Sequence, residues 1–247
     1  MKRLLICCAA LALTQITAFA APPPGEGWIS IFNGKDLSGW KVPEVAADCW
    51  SVVDGTIDCD PKTGRKGETS LWSEGEFGDF ELYCEWKIKR TEGSYDVPVV
   101  LPSGLHKKDA EGKDVTVATP NADSGIYLRG TSKAQVNIWC WPVGSGEVYG
   151  YRMDDKQPAE VRAGVTPKKN ADKPVGEWNT FHITMKSDRL TVVLNGEKVL
   201  DGAQLPGIPE KGPIALQLHG GYDEATKTWN NASSLVQFRN IYVRDAK

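Results

Sequence analysis

The stretch TFHITMKSDRLTVVLNGEKVL, from Thr180 to Leu200, decides the class of fold. Its first part predicts a β-hairpin that turns near Ser187-Asp188, because two runs rich in β-branched and apolar residues flank that pair. Asn195-Gly196 then favours a second tight reversal, since the preferred two-residue hairpin turns need positive φ, which asparagine and glycine tolerate best. A further strand is predicted after this turn, and three successive antiparallel strands indicate an all-β domain.

The rest of the chain repeats this pattern of strands and turns. Trp50 to Cys59 holds Asp54-Gly55 between β-branched residues and predicts another hairpin. Phe80 to Ile88 alternates, so its even-numbered residues are predicted to share one apolar face and its odd-numbered residues the other. No segment shows a sustained helical period, and strands separated by Gly, Pro and Asn-Gly are typical of a β-sandwich. Further strands are predicted over Ser124 to Arg129, Gln135 to Trp139, Ile214 to His219 and Leu235 to Val243.

Two stretches interrupt the strand pattern. Arg90 to Ala122 is rich in Pro, Gly, Asp and Lys and is predicted to be a long loop inserted between two strands. Pro142 to Pro174 is a second irregular stretch, and it carries Tyr149 and Tyr151. Long loops within compact domains are usually either functional or disordered, so the sequence leaves both possibilities open for the first insert.

The beginning of the chain predicts a signal peptide. Lys2 and Arg3 form a charged start, Leu4 to Leu13 is an apolar run too short to span a bilayer, and Ala18-Phe19-Ala20 fits a cleavage site. We therefore expect residues 1–20 to be removed and residues 21–247 to form a single domain. The expected location is the periplasm or the extracellular medium.

Charge limits the classes of partner. The whole chain carries 29 basic and 32 acidic residues, a formal net charge of −3. Removal of Lys2 and Arg3 with the leader would make this −5. A negative protein is repelled by phosphate backbones and by anionic lipid, so neither nucleic acid nor a membrane is the expected partner.

Four cysteines follow the predicted leader, and none forms a CxxC pair, which argues against a zinc or thioredoxin-like site. Cys49 and Cys59 flank a predicted hairpin and could form a disulfide in an oxidising compartment. Cys84 and Cys140 fall on apolar strand faces and are predicted to be small buried hydrophobic residues. At most one disulfide is expected.

Several predicted strands devote one face to hydrogen-bonding and aromatic side chains. A plain solvent face would carry Lys, Glu, Thr and Ser, whereas this one holds amides, an imidazole, a guanidinium and aromatic rings. Such a mixture suits sugar binding, because rings stack on a pyranose and planar polar groups pair with neighbouring hydroxyls. The alternative is that loops cover part of the set and use it to satisfy their backbone groups. The set comprises Asp123, Tyr127, Arg129, Gln135, Asn137, Trp139, Gln217 and His219.

Seven stretches in order resemble one known family, the 3-keto-disaccharide hydrolase domain, once called domain of unknown function 1080. The resemblance covers essentially the whole chain after the leader. It implies a concanavalin A-like jelly-roll β-sandwich with a site on a concave sheet. It also implies cleavage of glycosides already oxidised to a ketone at C3. The stretches are IFNGKDLSGW (31–40), WSVVDGTI (50–57), DFELYCEWKI (79–88), DSGIYLRG (123–130), GEWNTFHITM (176–185), LNGEKV (194–199) and LQLHG…VQFRNIYVR (216–244).

The residues suit elimination better than direct glycoside hydrolysis. Ordinary glycosidases need two carboxylates that flank the bond, and the chain lacks the Glu-x-Asp-x-x-Glu strand of jelly-roll glucanases. A 3-keto sugar has an acidic proton on C2, so one base, one acid and an enolate stabiliser suffice. We assign the base that removes the C2 proton to His219 or Glu85. The one carboxylate that the site needs would be Glu85 or Asp123. Arg129 or a bound divalent cation such as calcium would steady the enolate.

The remaining candidates would bind the substrate. Trp139 and Tyr127 are predicted to hold the sugar ring, and Gln135, Asn137 and Gln217 to bind its hydroxyls. The alternative is a non-catalytic carbohydrate-binding module of the same fold. It explains the aromatic and amide face equally well, and it agrees with Cys140, which stands where many family members carry an acid.

Overall fold

A computed structural model describes residues 23–246. The predicted signal peptide, residues 1–20, lies outside this range. Two antiparallel sheets pack face to face around one apolar core, as expected for a chain whose strands carry one apolar face each. The predicted fold class, an all-β concanavalin A-like jelly-roll sandwich, is confirmed. None of the helices between residues 23 and 246 has the length and apolar character needed to cross a membrane.

Strands dominate the described part of the chain, and the helices there are short. The strands, in chain order, are β1 (Ile29–Ser30), β2 (Trp40–Lys41), β3 (Trp50–Val53), β4 (Thr56–Cys59), β5 (Leu71–Phe77), β6 (Phe80–Ile88), β7 (Ser94–Pro98), β8 (Thr116–Pro120), β9 (Asp123–Leu128), β10 (Thr131–Trp139), β11 (Asn179–Lys186), β12 (Arg189–Leu194), β13 (Glu197–Gln204), β14 (Gly212–Leu216), β15 (Tyr222–Asp223), β16 (Thr228–Trp229) and β17 (Val236–Asp245). The helices are a 3-10 helix (Glu44–Cys49), α1 (Tyr149–Arg152) and α2 (Ala159–Gly164).

The larger sheet, sheet A, has the order β13-β12-β11-β6-β17-β4-β3, with β1 paired to the far half of β17. The hairpins predicted from the sequence are confirmed in it. Asp54 and Gly55, with φ of 49° and 75°, connect β3 to β4, and Asn195 and Gly196, with φ of 53° and 84°, connect β12 to β13. Positive φ at both central residues gives the turn whose twist matches that of paired strands.

The smaller sheet, sheet B, has the order β10-β9-β14-β5-β2 and carries the outer face of interest. Arg129 and Gly130 form the tight turn between β9 and β10, again with positive φ at both residues. Residue 125 faces residue 137 and residue 123 faces residue 139, so the polar positions of the two strands lie side by side on one face.

Alternation along the strands separates core from outer face as predicted. The even-numbered residues of β6, Phe80 to Ile88, are buried in the core between the sheets, and Glu81, Tyr83 and Lys87 point outward. Ile126, Leu128, Val136 and Ile138 supply the facing layer from sheet B. The four cysteines among the described residues are free thiols, so the possible Cys49–Cys59 disulfide is not formed in this structure.

The two irregular stretches contain regular structure that the sequence did not predict. The first insert, Arg90 to Ala122, folds back on itself as the β7–β8 hairpin instead of running as an open loop. The second, Pro142 to Pro174, contains α1 and α2. These helices have four and six residues, which is too short for an apolar period to show in the sequence. Both stretches pack beside the outer face of sheet B, where Tyr95 and Tyr149 reach the same cleft.

Candidate functional site

A cleft of about 240 Å³ lies on the outer face of sheet B. It brings together six of the nine residues singled out from the sequence: Asp123, Gln135, Asn137, Trp139, Gln217 and His219. The others that line it are Tyr95, Trp141, Tyr149 and Ala232. Strand alternation explains the grouping, because the polar residues of β9, of β10 and of the segment after β14 project from the same side of neighbouring strands.

His219 is held in one tautomer. Its Nδ1 lies 2.6 Å from the carbonyl oxygen of Ala232. A backbone carbonyl only accepts hydrogen bonds, so Nδ1 carries the proton and Nε2 of the neutral ring keeps its lone pair. Ala232 adopts a positive φ of 60°, which an alanine does only where the surrounding structure imposes it. The arrangement leaves His219 Nε2 available as a proton acceptor.

One hydroxyl fixes the backbone of His219 against that of Asp123. Ser234 Oγ accepts the His219 backbone N–H at 2.8 Å and donates to the Asp123 carbonyl at 2.6 Å. The Ser234 side chain is buried, so water does not compete for these bonds. The two candidate proton-transfer residues, one on β9 and one in the segment after β14, therefore keep a fixed separation.

Asp123 is suited to be a proton donor. No donor among residues 23–246 hydrogen-bonds its carboxyl group, although its backbone is fully bonded. Burial raises the pKa of Asp123 well above its ordinary value, and the nearby carboxylate of Glu147 raises it further. The protonated form of Asp123 therefore persists to higher pH than that of an ordinary aspartate.

A buried ion pair lies near Asp123. Glu147 and Arg152 are fully buried and contact one another through Glu147 Oε1 and Arg152 Nε. Burial raises the pKa of Glu147 to about 7, and Arg152 opposes that rise. The backbone of Glu147 pairs with that of Asn137, so the segment that carries the ion pair extends sheet B beyond β10.

The amides of the cleft form a short network. Gln135 Nε2 donates to Gln217 Oε1 at 2.6 Å and to the Ser124 carbonyl at 3.2 Å. Gly125 makes this reach possible, because a Cβ at that position would lie 2.7 Å from the Gln135 side chain. The Asn137 side chain, in contrast, has no hydrogen-bond partner within the described chain, so its amide remains free for a ligand.

Aromatic side chains close one end of the cleft. Trp139 and Trp141 stack in parallel with ring centroids 4.2 Å apart, and Tyr149 stands edge-on to both at 6.4 Å. The Trp141 indole N–H donates to the Tyr95 hydroxyl at 2.9 Å. Trp139 is 2% exposed, so the open surface of this stack belongs to Trp141. The sequence predicted that Trp139 would hold the sugar ring. In the structure Trp139 supports the stacking surface, and Trp141 forms it.

The known proteins that match this chain agree with its fold. A family model described as the 3-keto-alpha-glucoside-1,2-lyase-like domain matches residues 27–244. The chain belongs to this family. The match confirms the resemblance carried by the sequence motifs, and it spans both sheets of the lyase-like domain together with both inserts.

Individual relatives of the lyase-like domain are distant. A 3-keto-disaccharide hydrolase of Bacteroides thetaiotaomicron is 23% identical over 197 residues, which are 77% of this chain. The aligned region spans 63% of the length of that relative. Two crystal structures of Parabacteroides distasonis proteins, described as candidate glycosyl hydrolases, share the fold. One has a TM-score of 0.54, 22% identity and coverage of 98% of this chain and 100% of that chain. The other has a TM-score of 0.52, 19% identity and coverage of 90% and 94%.

Glu85, proposed above as an alternative base, lies on the other side of the lyase-like domain. It projects from the outer face of sheet A, where it accepts from Arg239 Nε at 2.7 Å and lies 3.2 Å from the Tyr83 hydroxyl. Both sheets and the core separate it from the cleft. The prediction failed because alternation assigns a residue to a core or outer face but does not say which sheet the strand will join.

Arg129, proposed as the enolate stabiliser, is also remote from the cleft. It follows β9 at the end opposite to Asp123, about 20 Å away at a strand rise of about 3.3 Å per residue. Its guanidinium is buried and donates to the carbonyls of Gly78, Ser187 and Pro209 and to Asp79 Oδ1, at 2.6 to 3.2 Å. These bonds tie three loops to the β9–β10 turn, so Arg129 is a structural residue.

Replacing Arg129 by alanine is expected to lower the free energy of unfolding by about 2–4 kcal/mol, because a buried guanidinium that hydrogen-bonds three backbone carbonyls and one carboxylate is lost. Arg129→Lys should recover little of this, since an ammonium group lacks the planar fork that reaches several acceptors. Urea unfolding measures both changes. Turnover per folded molecule should stay within a few-fold of the unsubstituted protein, and a selective loss of turnover in a stably folded variant would contradict the structural role.

Tyr127 lies beside the cleft without lining it. It is 9% exposed and packs on Trp72 with ring centroids 5.7 Å apart. Burial raises the pKa of Tyr127 to about 12, and interactions with Gln217 and Ser70 oppose that rise. Tyr127 is therefore not placed to hold the sugar ring, as the sequence had predicted that it would be. It instead interacts with Gln217 from the neighbouring strand.

The described residues offer no donor set for the predicted divalent cation. Between residues 23 and 246, no group of three or more His, Cys, Asp and Glu side chains is placed to hold a metal. The cleft contributes one carboxyl group, Asp123, beside amide oxygens. Calcium takes about six to eight oxygen ligands, usually several of them carboxylates. The reaction proposed below is written with the side chains of the cleft alone.

Cys140 does not belong to the cleft. It lines a small enclosed cavity of about 50 Å³ behind Trp139, together with Asp172 and Trp86. Burial raises the pKa of its thiol to about 11, so the thiol is protonated near neutrality. Because position 140 points away from Asp123 and His219, a cysteine there removes no group from the cleft.

Sequence reasoning missed three aromatic residues of the cleft. Tyr95 lies in the first insert, and Trp141 and Tyr149 lie in or beside the second. The available signal was the inserts themselves, because loops beside a rigid sheet often carry binding residues. Their contact with sheet B depends on how each insert folds back, which neither composition nor alternation reports.

Proposed function

We propose that this domain cleaves the glycosidic bond of glycosides that carry a ketone at C3, by elimination across C1 and C2 followed by addition of water. The observation that carries the proposal is the pairing, in one cleft, of an imidazole nitrogen free to accept a proton with a single half-buried carboxyl group of raised pKa. The family description, which names a 1,2-lyase acting on 3-keto-glucosides, supports the same chemistry.

The first step removes the proton from C2. His219 Nε2 takes this proton, and the electron pair of the C–H bond delocalises into the C3 ketone as an enolate. The ketone makes C2–H acidic enough for an imidazole, whereas an unoxidised sugar offers no such proton. The hydrogen bond from Nδ1 to Ala232 stabilises the imidazolium that results.

The second step expels the group on C1. The enolate electrons form a C1=C2 double bond as the C1–O bond breaks, and protonated Asp123 gives its proton to the leaving oxygen. Water then adds at C1 and a proton returns to C2, which yields the free 3-keto sugar. The sum is a hydrolysis, and it needs no oxidant because the substrate already contains the ketone.

Amide groups are the donors available for the enolate oxygen. The Asn137 amide makes no hydrogen bond within residues 23–246, and Gln217 accepts from Gln135 through its oxygen, so its amide nitrogen is the donor that it can offer at the cleft. Fixed donors of this kind stabilise developing negative charge without reorganisation during the reaction. They take the role that the sequence analysis had given to Arg129.

A non-catalytic carbohydrate-binding module of the same fold is the second candidate function. The aromatic and amide surface of the cleft would serve it equally well. The observation that favours the enzyme is Asp123, since sugar recognition does not need an unpaired carboxyl group whose pKa is raised. Either function has a carbohydrate as its partner. We expect to find that partner in the periplasm or outside the cell, the location that a signal peptide at residues 1–20 would imply.

Turnover of a 3-keto-glucoside beside the matching unoxidised glucoside tests the proposal, each with and without EDTA. We expect release of the leaving group from the keto compound alone, and the same rate in EDTA. Release from neither compound, together with sugar binding by calorimetry, would favour the binding module. Loss of release in EDTA would show that a metal takes part.

A further inference from the structure

We infer that Trp141 forms the binding site for the leaving group, so that the domain selects glycosides whose leaving group contains a ring with an apolar face. The inference rests on the proposed function and specifies which substrates it takes. It places the ring of the departing sugar or phenol on the open face of Trp141, beside Tyr149 and Tyr95. An acyclic alkyl group would have no comparable surface to contact.

The order of groups across sheet B gives the direction in which the substrate lies. Trp139 pairs with Asp123 across β10 and β9. His219 lies on the other side of Asp123, joined to it through Ser234. Asp123 therefore stands between the aromatic end of the cleft and the imidazole. With C2 at His219 and the glycosidic oxygen at Asp123, whatever is attached to that oxygen extends toward Trp141.

The aromatic end is rigid before any ligand arrives. Trp141 is fixed on one face by Trp139, at one edge by Tyr149 and at its indole nitrogen by the Tyr95 hydroxyl. Rings held in this way bind other rings with little loss of side-chain entropy. Tyr149 is 41% exposed and Trp141 is half-buried, so this well-ordered cluster still presents aromatic surface to the cleft. A core cluster of similar size would be covered.

Hydroxyl groups at the rim suit a ring that carries its own hydroxyls. Tyr95 accepts the Trp141 indole N–H through its oxygen, which leaves its own O–H free to donate. No hydrogen bond to the Tyr149 hydroxyl is present within residues 23–246. A sugar ring and a phenyl ring would both stack on Trp141. The hydroxyls of Tyr95 and Tyr149 would hydrogen-bond a sugar ring and would find no partner on a phenyl ring.

The test compares four 3-keto-glucosides, with methyl, cyclohexyl, phenyl and glucosyl leaving groups, as substrates of the unsubstituted protein and of Trp141→Ala. We expect kcat/KM for the phenyl, glucosyl and cyclohexyl compounds to fall roughly tenfold or more in the variant, and for the methyl compound to change less than about twofold. Trp141→Phe should recover part of the loss. Trp178→Ala, which removes a half-buried tryptophan from the outer face of sheet A, is the matched control.

The methyl compound separates failure of this inference from failure of the proposed function. An equal loss for all four compounds in Trp141→Ala, or no change for any of them, would overturn the assignment of the leaving-group site while turnover itself stands. A fall for phenyl but not glucosyl would limit the site to aromatic leaving groups and contradict its use for sugars. No turnover of any 3-keto-glucoside by the unsubstituted protein would remove the proposed function and this inference together.

Discussion

Replacing His219 by asparagine is expected to lower kcat on a methyl 3-keto-glucoside by about 100-fold to 10,000-fold, the range that a positioned proton-transfer residue contributes. The asparagine amide can still donate to the Ala232 carbonyl, so the loop that follows β14 keeps its anchor. The variant loses only the nitrogen that accepts the C2 proton. Steady-state kinetics with the purified variant measures the change.

His182→Asn is the matched control for this experiment. His182 lies on the outer face of sheet A, where its Nε2 contacts Glu81 at 2.7 Å, and it is far from the cleft. The same substitution there should leave kcat within about twofold. If His219→Asn retained full turnover with an unchanged unfolding midpoint, His219 would not be the base.

Replacing Asp123 by asparagine is expected to lower kcat much more for substrates with a strongly basic leaving group than for substrates with a weakly basic one. A methyl or glucosyl leaving group departs as a strong base and needs the proton that Asp123 supplies, so its kcat should fall about 100-fold or more. A 4-nitrophenyl leaving group departs as a stabilised anion, and its kcat should fall only a few-fold. Parallel assays of the two classes give the ratio directly.

The pH dependence of turnover by the unsubstituted protein should report the protonation of Asp123. Asp123 donates only while protonated, and its pKa is raised, so turnover of the methyl compound relative to that of the 4-nitrophenyl compound should fall as pH rises through that pKa. Both compounds need the neutral imidazole of His219, so the ratio isolates the contribution of Asp123. Asp96→Asn, at an exposed carboxylate on β7, is the control. An equal loss for both classes in Asp123→Asn would contradict the acid role.

Most of the fold followed from the sequence, because alternation and turn chemistry act locally. Asp54-Gly55 and Asn195-Gly196 turn where predicted, and the faces of β6 separate into core and outer residues as expected. The same alternation brought Asp123, Asn137 and Trp139 together, since neighbouring antiparallel strands place matching faces side by side.

The errors arose where position depends on tertiary structure. Alternation gives Glu85 an outer face but does not report that β6 joins the other sheet. Arg129 shares the parity of Asp123 along the strand, yet it stands at the far end in a turn with φ of 49°, and its guanidinium points to loops. The folding of the inserts, which delivers Tyr95 and Tyr149, is equally invisible to a local pattern.

Removal of the C2 proton is the central step of the proposed reaction. Exchange of that proton with solvent deuterium tests it most directly. A 3-keto-glucoside would be cleaved in D₂O, and the product examined by NMR at early times, beside a sample without protein and one with His219→Asn. We predict one deuterium at C2 of the released 3-keto sugar, at a rate that follows cleavage and is lost in the variant. Rapid cleavage with the original proton retained at C2 would show direct displacement at C1 and contradict the elimination.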